Sequence, residues 1–244
     1  MNMKKILIAA VALSLTAVLQ VSAVPVNVST VSGYNIGGGG GEFNINPVIG
    51  VGYAASVLVN GGFETFCLAR DVSIVVPGTY DATVNATGLY TQTAGGGTKI
   101  LSKGTAYLYS QFATGVLATY RYGATAGGTS SLRALDAYYL QLAIWTLEGE
   151  YSYGGGALDL AGNAFINAAA NAYGGGLAGL AAALLANAPG GSNVGALGLK
   201  YLTGPNTGKD AQPMLVLLPD GGTTLMLMGI GFTSLALVSR KLRA

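Results

Sequence analysis

Histidine does not occur in this 244-residue chain. Its absence removes Ser-His and Cys-His nucleophilic sites and the commonest ligand of zinc. Cysteine occurs once, as Cys67. A single cysteine makes no internal disulfide, and no metal or cofactor is expected. Charge is also scarce, since Asp, Glu, Lys and Arg together make up 9% of the residues. Ser, Thr, Asn, Gly and Tyr must therefore cover the surface, as suits a wall or matrix protein. Glycoside hydrolysis needs two facing carboxylates, which Glu64, Asp136, Glu148 or Asp159 would have to supply. Glu148 and Glu150 read instead as solvated charges at a helix end. The glycine runs at 37–41 and 154–156 lack the lysine and helix context of a phosphate-binding loop and read as flexible connections.

The two ends carry sorting features. Lys4 and Lys5 precede an apolar run at 6–19, and Val21-Ser22-Ala23 supplies the small residues of a cleavage site. Residues 1–23 are thus expected to be a signal peptide removed by signal peptidase. At the other end, Pro219-Asp220-Gly221-Gly222 is followed by an uncharged run at 223–239 and then by Arg240, Lys241 and Arg243. The run lies at the short limit of what crosses a bilayer as a helix. The basic cluster would hold its end in the cytoplasm. An ectodomain at 24–218 remains. Of twelve basic residues two lie in the signal and three in the tail, leaving seven; of ten acidic residues only Asp220 leaves, so nine remain. The ectodomain is therefore near −2 although the whole chain counts +2, and no nucleic-acid partner is expected.

Between the ends, pattern and punctuation predict strands, then helices, then strands. A loose alternation at 24–36 reads as a strand. Apolar runs at 53–59 and 63–69 flank Asn60-Gly61-Gly62, a strong hairpin signal. Runs at 72–76 and 80–84 bracket a turn at Pro77-Gly78, and 87–98 reads as a loop. Ser102 is placed to cap a helix reaching about residue 118, and Ser130 or Ser131 to cap a second at 132–148 that Gly149 ends. Segments 165–172 and 177–187 look helical, and 194–202 and 214–218 read as closing strands. The expected class is α+β: a mainly antiparallel sandwich or barrel-like sheet with an inserted helical subdomain, a signal helix at one end and a transmembrane helix at the other.

The helix at 132–148 holds one polar residue in an aromatic setting. Tyr138, Gln141 and Trp145 recur at spacings of three and four, so rings flank the glutamine above and below on its own face. A carboxamide in such a place needs hydrogen-bond partners or costs a few kcal/mol. Periodicity alone favours a glutamine that satisfies the backbone of a neighbouring loop, and a lone Cys67 that is a small buried hydrophobe.

Two resemblances sharpen this reading. The final segment, 219–244, resembles the PEP-CTERM sorting signal, in particular its VPDSG-type variant, with Leu218 where that variant has Val and Gly221 where it has Ser. The resemblance implies a Gram-negative, exopolysaccharide-producing bacterium. It also implies an inner-membrane-anchored precursor, removal of the tail by an exosortase-type membrane protease, and delivery to the cell surface or matrix. Gln141-Leu142-Ala143-Ile144-Trp145 resembles the Gln-x-Ala-Ile-Trp core of bacterial thioester (TQxA) domains, and Phe66-Cys67-Leu68 their early cysteine strand. Leu140 stands where that family has Thr. Carried over, Cys67 and Gln141 would form an internal thioester, with Tyr138 and Trp145 keeping water off the bond. An amine- or hydroxyl-bearing surface ligand or exopolysaccharide would then displace the sulfur. That event occurs once per molecule, so the expectation is an adhesin or cross-linker, not an enzyme. The alternative is a non-reactive matrix protein sorted by the same route.

Overall fold

In the computed structural model, residues 23–35, 40–91, 97–123, 132–150, 163–173 and 193–219 are described. Asn60 and Gly61 take φ of 49° and 76° and close a two-residue turn, pairing Leu58 with Phe63 and Val59 with Gly62. Paired left-handed residues are what a tight hairpin between twisted strands requires. This turn joins β3 (Leu58–Val59) to β4 (Gly62–Thr65). β1 (Val24–Asn35) and β2 (Gly41–Asn46) precede them, and β5 (Gly78–Asn85) follows. A small separate ribbon pairs β6 (Leu89–Thr91) with β7 (Thr98–Ile100). Three helices come next: α1 (Lys103–Ala113), α2 (Leu132–Leu147) and α3 (Ala164–Ala172). The described chain closes with β8 (Val194–Tyr201) and β9 (Asp210–Leu217).

The class is therefore α+β, with three helices and a seven-stranded sheet in the order β3-β4-β2-β1-β5-β8-β9, every pairing antiparallel. The far strand of that order returns to the segment after β4. Leu68 N–H donates to Pro213 O at 2.9 Å and Leu215 N–H to Phe66 O at 3.2 Å, and Cys67 faces Met214 in an isolated bridge.

Both faces of this sheet are buried, which explains strands that are apolar without interruption. On one face Phe66, Leu68, Leu215 and Leu217 pack with Tyr109, Phe112, Leu140 and Ile144 of the helices. On the other, Val28, Ile45, Phe63, Cys67, Tyr80 and Met214 form a second cluster, joined by Leu142 and Trp145. The alternation of Met214, Leu215, Val216 and Leu217 between clusters is the period-2 pattern of a strand. Helix α2 feeds both clusters, and Gln141 lies between its two apolar stripes.

Several expectations are corrected. Residues 53–59 do not form a full strand: Ala55–Val57 is a 3-10 turn, and Ala54 N–H donates to Ala113 O on α1. Residues 72–76 form no strand, because the Tyr80 hydroxyl donates to Val75 O and accepts from Val75 N–H. The segment 87–98 carries most of a β-ribbon. Helix α1 is capped by Ser102, as its sequence predicts, but ends at Ala113. Gly115 follows with φ +74, and a Cβ there would sit 2.9 Å from Ala54 Cβ. Pro213 stands inside β9, where the register with β8 shifts between Leu197 and Leu199; a residue without an N–H fits at such an irregularity. The predicted helix at 177–187, the signal segment and the tail helix lie outside the described residues. Among the described residues no helix is long and apolar enough to cross a membrane.

Candidate functional site

Helix α2 is fastened at both ends by buried charge. Near its start, Arg133 Nε donates to Glu42 Oε1 at 2.9 Å and Nη2 to Glu42 Oε2 at 2.9 Å. Nη2 also meets Glu64 Oε2 at 2.5 Å, and Nη1 donates to Tyr122 O at 2.7 Å. The Tyr120 hydroxyl donates to Glu42 Oε1 as well. Both glutamate side chains are fully buried and Arg133 is nearly so. Burial, reinforced by the neighbouring Glu42 charge, pushes the Glu64 carboxyl up to about 9, against the opposing pull of Arg133. At neutral pH Glu64 is thus protonated, and its Oε1, which accepts from no group, is free to donate toward Glu42.

At the far end of α2, Glu148 accepts from Ser102 N–H at 2.9 Å and from the Tyr90 hydroxyl at 2.7 Å. The expectation that Glu148 and Glu150 are solvated is overturned. Glu148 is 1% exposed, and the Glu150 side chain, facing Lys99 at 3.8 Å, is 4% exposed. The β6–β7 ribbon and the α1 N-cap fold over this helix end and exclude water from it. Asp136 is buried too, held by Arg121 at 2.5 and 2.8 Å. Asp159 lies outside the described residues. Among the described residues no group of three or more Cys, Asp or Glu could hold a metal ion.

Between these two anchors the structure brings Cys67 and Gln141 together. Cys67 N–H donates to Gln141 Oε1 at 3.0 Å, and Gln141 Nε2 donates to Cys67 O at 2.8 Å. Residues 66–68 explain why this backbone is available. The bonds to β9 are made by Phe66 O and Leu68 N–H, which leaves Cys67 at a non-hydrogen-bonded position with its own N–H and C=O turned the other way. On that side β2 pairs with β4 up to Phe43↔Thr65, and the same register continued would set Gly41 opposite Cys67. The Gln141 carboxamide stands in for that missing peptide.

The glycine run makes room for it. Gly40 has φ +80, and a Cβ there would fall 2.3 Å from Gln141 Cγ. Gly40 and Glu42 are the functional positions that sequence reasoning missed. The signal for the first was the run at 37–41, read only as flexibility. Glu42, a carboxylate flanked by Gly41 and Phe43 in an alternating strand, gave no distinctive pattern.

Gln141 is fully buried and Cys67 is 1% exposed, and burial pushes the thiol well above its ordinary range. Cys67 lines a cleft of about 460 Å³ whose walls include Phe43, Ile74, Trp145, Arg70 and Ser73. Trp145 is 5% exposed, and its Nε1–H is buried with no hydrogen-bond partner among the described residues. Tyr138 is half-buried and packs on the Cys67 side of the sheet, its ring 5.7 Å from that of Tyr139. Of the sorting motif only Pro219 is described, and it is exposed; Asp220, Gly221, Gly222 and the basic tail are outside. Comparison with protein-family models, curated proteins and solved structures finds no match to this chain.

Proposed function

We propose that this is an exported surface or matrix protein that attaches covalently to a partner through a Cys67–Gln141 thioester. The observation that carries the reading is the bond from Cys67 N–H to Gln141 Oε1 in a dry setting. Attack of a thiol on an amide places negative charge on that oxygen, and a fixed N–H donor aimed at it lowers the barrier. The nucleophile's own backbone N–H serves this purpose in other acyl-transfer sites. Cys67 Sγ attacks Gln141 Cδ, the Cδ–N bond breaks, and ammonia leaves carrying the thiol proton. An incoming amine or hydroxyl then attacks Cδ and the Cδ–Sγ bond breaks. The product is an amide or ester through Gln141 and a free Cys67 thiol. No second turnover follows, which makes the protein a binder and not an enzyme.

The ends of the chain supply the route. Residues 1–23 act as signal peptide. Residues 219–244 act as a PEP-CTERM-type tail that holds the precursor in the inner membrane by a helix at 223–239 until an exosortase-type protease removes it. The sheet, its last strand returned to residues 66–68, serves as a barrel-like support for the bond.

A non-reactive structural role is the second reading. It is favoured by the full pairing of Gln141: both polar atoms of its carboxamide are already bonded to Cys67 backbone. Intact mass of the mature ectodomain separates the two. A thioester lacks the mass of one ammonia, gains that of methylamine on treatment, and exposes one thiol as it does so. The Cys67→Ala variant shows neither change. Full unreacted mass and no methylamine adduct in the wild type would leave the structural role.

A further inference from the structure

We infer that the acceptor this site takes is a weakly basic primary amine of the amino-sugar class, not a lysine side chain and not a sugar hydroxyl. This rests on the thioester reading and names its substrate. The cleft that Cys67 lines contains no carboxylate, no histidine and no lysine; Arg70 is its one charged residue. The described carboxylates are engaged elsewhere or stand outside this lining: Glu42 and Glu64 on Arg133, Asp136 on Arg121, Glu148 on Ser102 and Tyr90. Asp71, beside Arg70, is exposed and is not part of the cleft wall.

Two chemical consequences follow. A hydroxyl acceptor needs a base to take its proton as it attacks, and none lines the cleft. An amine needs no such base, but it must arrive as the free base. A cleft with a guanidinium, apolar walls and no carboxylate repels and desolvates an ammonium, so it selects amines already neutral. At pH 7 an amine of the α-amino type, pKa about 8, is roughly one-tenth free base, whereas a lysine at about 10.4 is neutral in roughly one molecule in 2,500. The electron-withdrawing oxygens of an amino sugar place its amine near the first of these. The wall fits that ligand further. Trp145 offers an aromatic face and a buried, unpartnered N–H, the pairing of apolar surface and donor that a pyranose ring with its oxygens satisfies. The amine lone pair attacks Gln141 Cδ, the Cδ–Sγ bond breaks, and the amine proton passes to the Cys67 sulfur.

The test is competition at pH 7 on the mature ectodomain, read by intact mass. Methylamine reports whether the thioester exists. Glucosamine, Nα-acetyl-lysine amide and N-acetylglucosamine are then compared at equal total concentration. Glucosamine is expected to form its adduct at least tenfold faster than the lysine derivative, with no adduct from N-acetylglucosamine. The Arg70→Glu variant is expected to narrow the ratio. Equal or faster reaction of the lysine derivative, or an ester with N-acetylglucosamine, overturns the inference while leaving the thioester standing. Absence of a methylamine adduct removes the thioester and the inference together.

Discussion

Arg133 Nη2 lies 2.5 Å from Glu64 Oε2, three residues before Cys67 on the same segment, while Gln141 stands two turns further along the helix that carries Arg133. The ion pair therefore sets the distance between the two residues of the site without touching either. Removing one member of a buried pair leaves the rest uncompensated and costs about 3–5 kcal/mol. Arg133→Met is expected to lower stability by about that amount and to lower the fraction of ectodomain lacking ammonia. Chemical denaturation and intact mass measure the two effects. Stability unchanged in Arg133→Met would show that α2 is held by its apolar faces alone.

The Glu64 carboxyl gives the fold a pH dependence of definite sign. Its pKa is raised to about 9 in the folded protein from an ordinary value near 4.3 in the unfolded chain. Between these limits the folded state binds the extra proton. The Glu64 contribution is thus fully present in acid and is lost as pH rises through about 9. Thermal unfolding between pH 5 and pH 9 is expected to show Tm falling with pH. Glu64→Gln, which keeps the shape and removes the titration, should flatten that slope. A wild-type Tm that rises across the range would contradict the assignment of the proton to Glu64.

How far these relations were legible in the sequence depends on their range. The hairpin at Asn60-Gly61, the Ser102 cap and the limits of α2 followed from local chemistry that a short window contains. The Cys67–Gln141 contact spans 74 residues. It was reached through motif resemblance, and periodicity gave only the aromatic setting of Gln141. What could not be read was anything requiring two distant segments to exclude water together. Glu148 looked like a surface charge because Tyr90 and Ser102, its partners, lie 58 and 46 residues away. Residues 72–76 looked like a strand by composition, yet one Tyr80 hydroxyl takes both backbone groups of Val75. The glycines at 37–41 could not be told from a linker without knowing that a side chain from residue 141 would need their space.

Gly40 tests that last point directly. Alanine there meets Gln141 Cγ at 2.3 Å and adopts φ +80, a conformation that costs an L-residue roughly 1–2 kcal/mol before any clash. Gly40→Ala is expected to push the Gln141 side chain off Cys67, raise the alkylation rate of the native thiol, and reduce thioester content. Gly37→Ala, made alongside as a control in the same run, is expected to do less. Equal alkylation in wild type and Gly40→Ala would mean that the loop yields and Gln141 stays where it is.

Substitution of Gln141 separates its packing role from its chemistry. Gln141→Ala leaves the Cys67 N–H and C=O buried without partners, each at a cost of about 1–3 kcal/mol. Gln141→Glu retains an acceptor for the N–H but, when ionised, loses the donor to the C=O and places a charge in a dry site. Its carboxyl pKa should be raised by burial, so its stability deficit is expected to shrink below the pH at which it protonates and regains a donor. Neither variant can release ammonia, so both should show the full expected mass, no methylamine adduct and one alkylatable thiol. If Gln141→Ala were as stable as wild type, the reciprocal bonds to Cys67 would contribute nothing to the fold. Selection on the pair would then have to come from the acyl transfer alone.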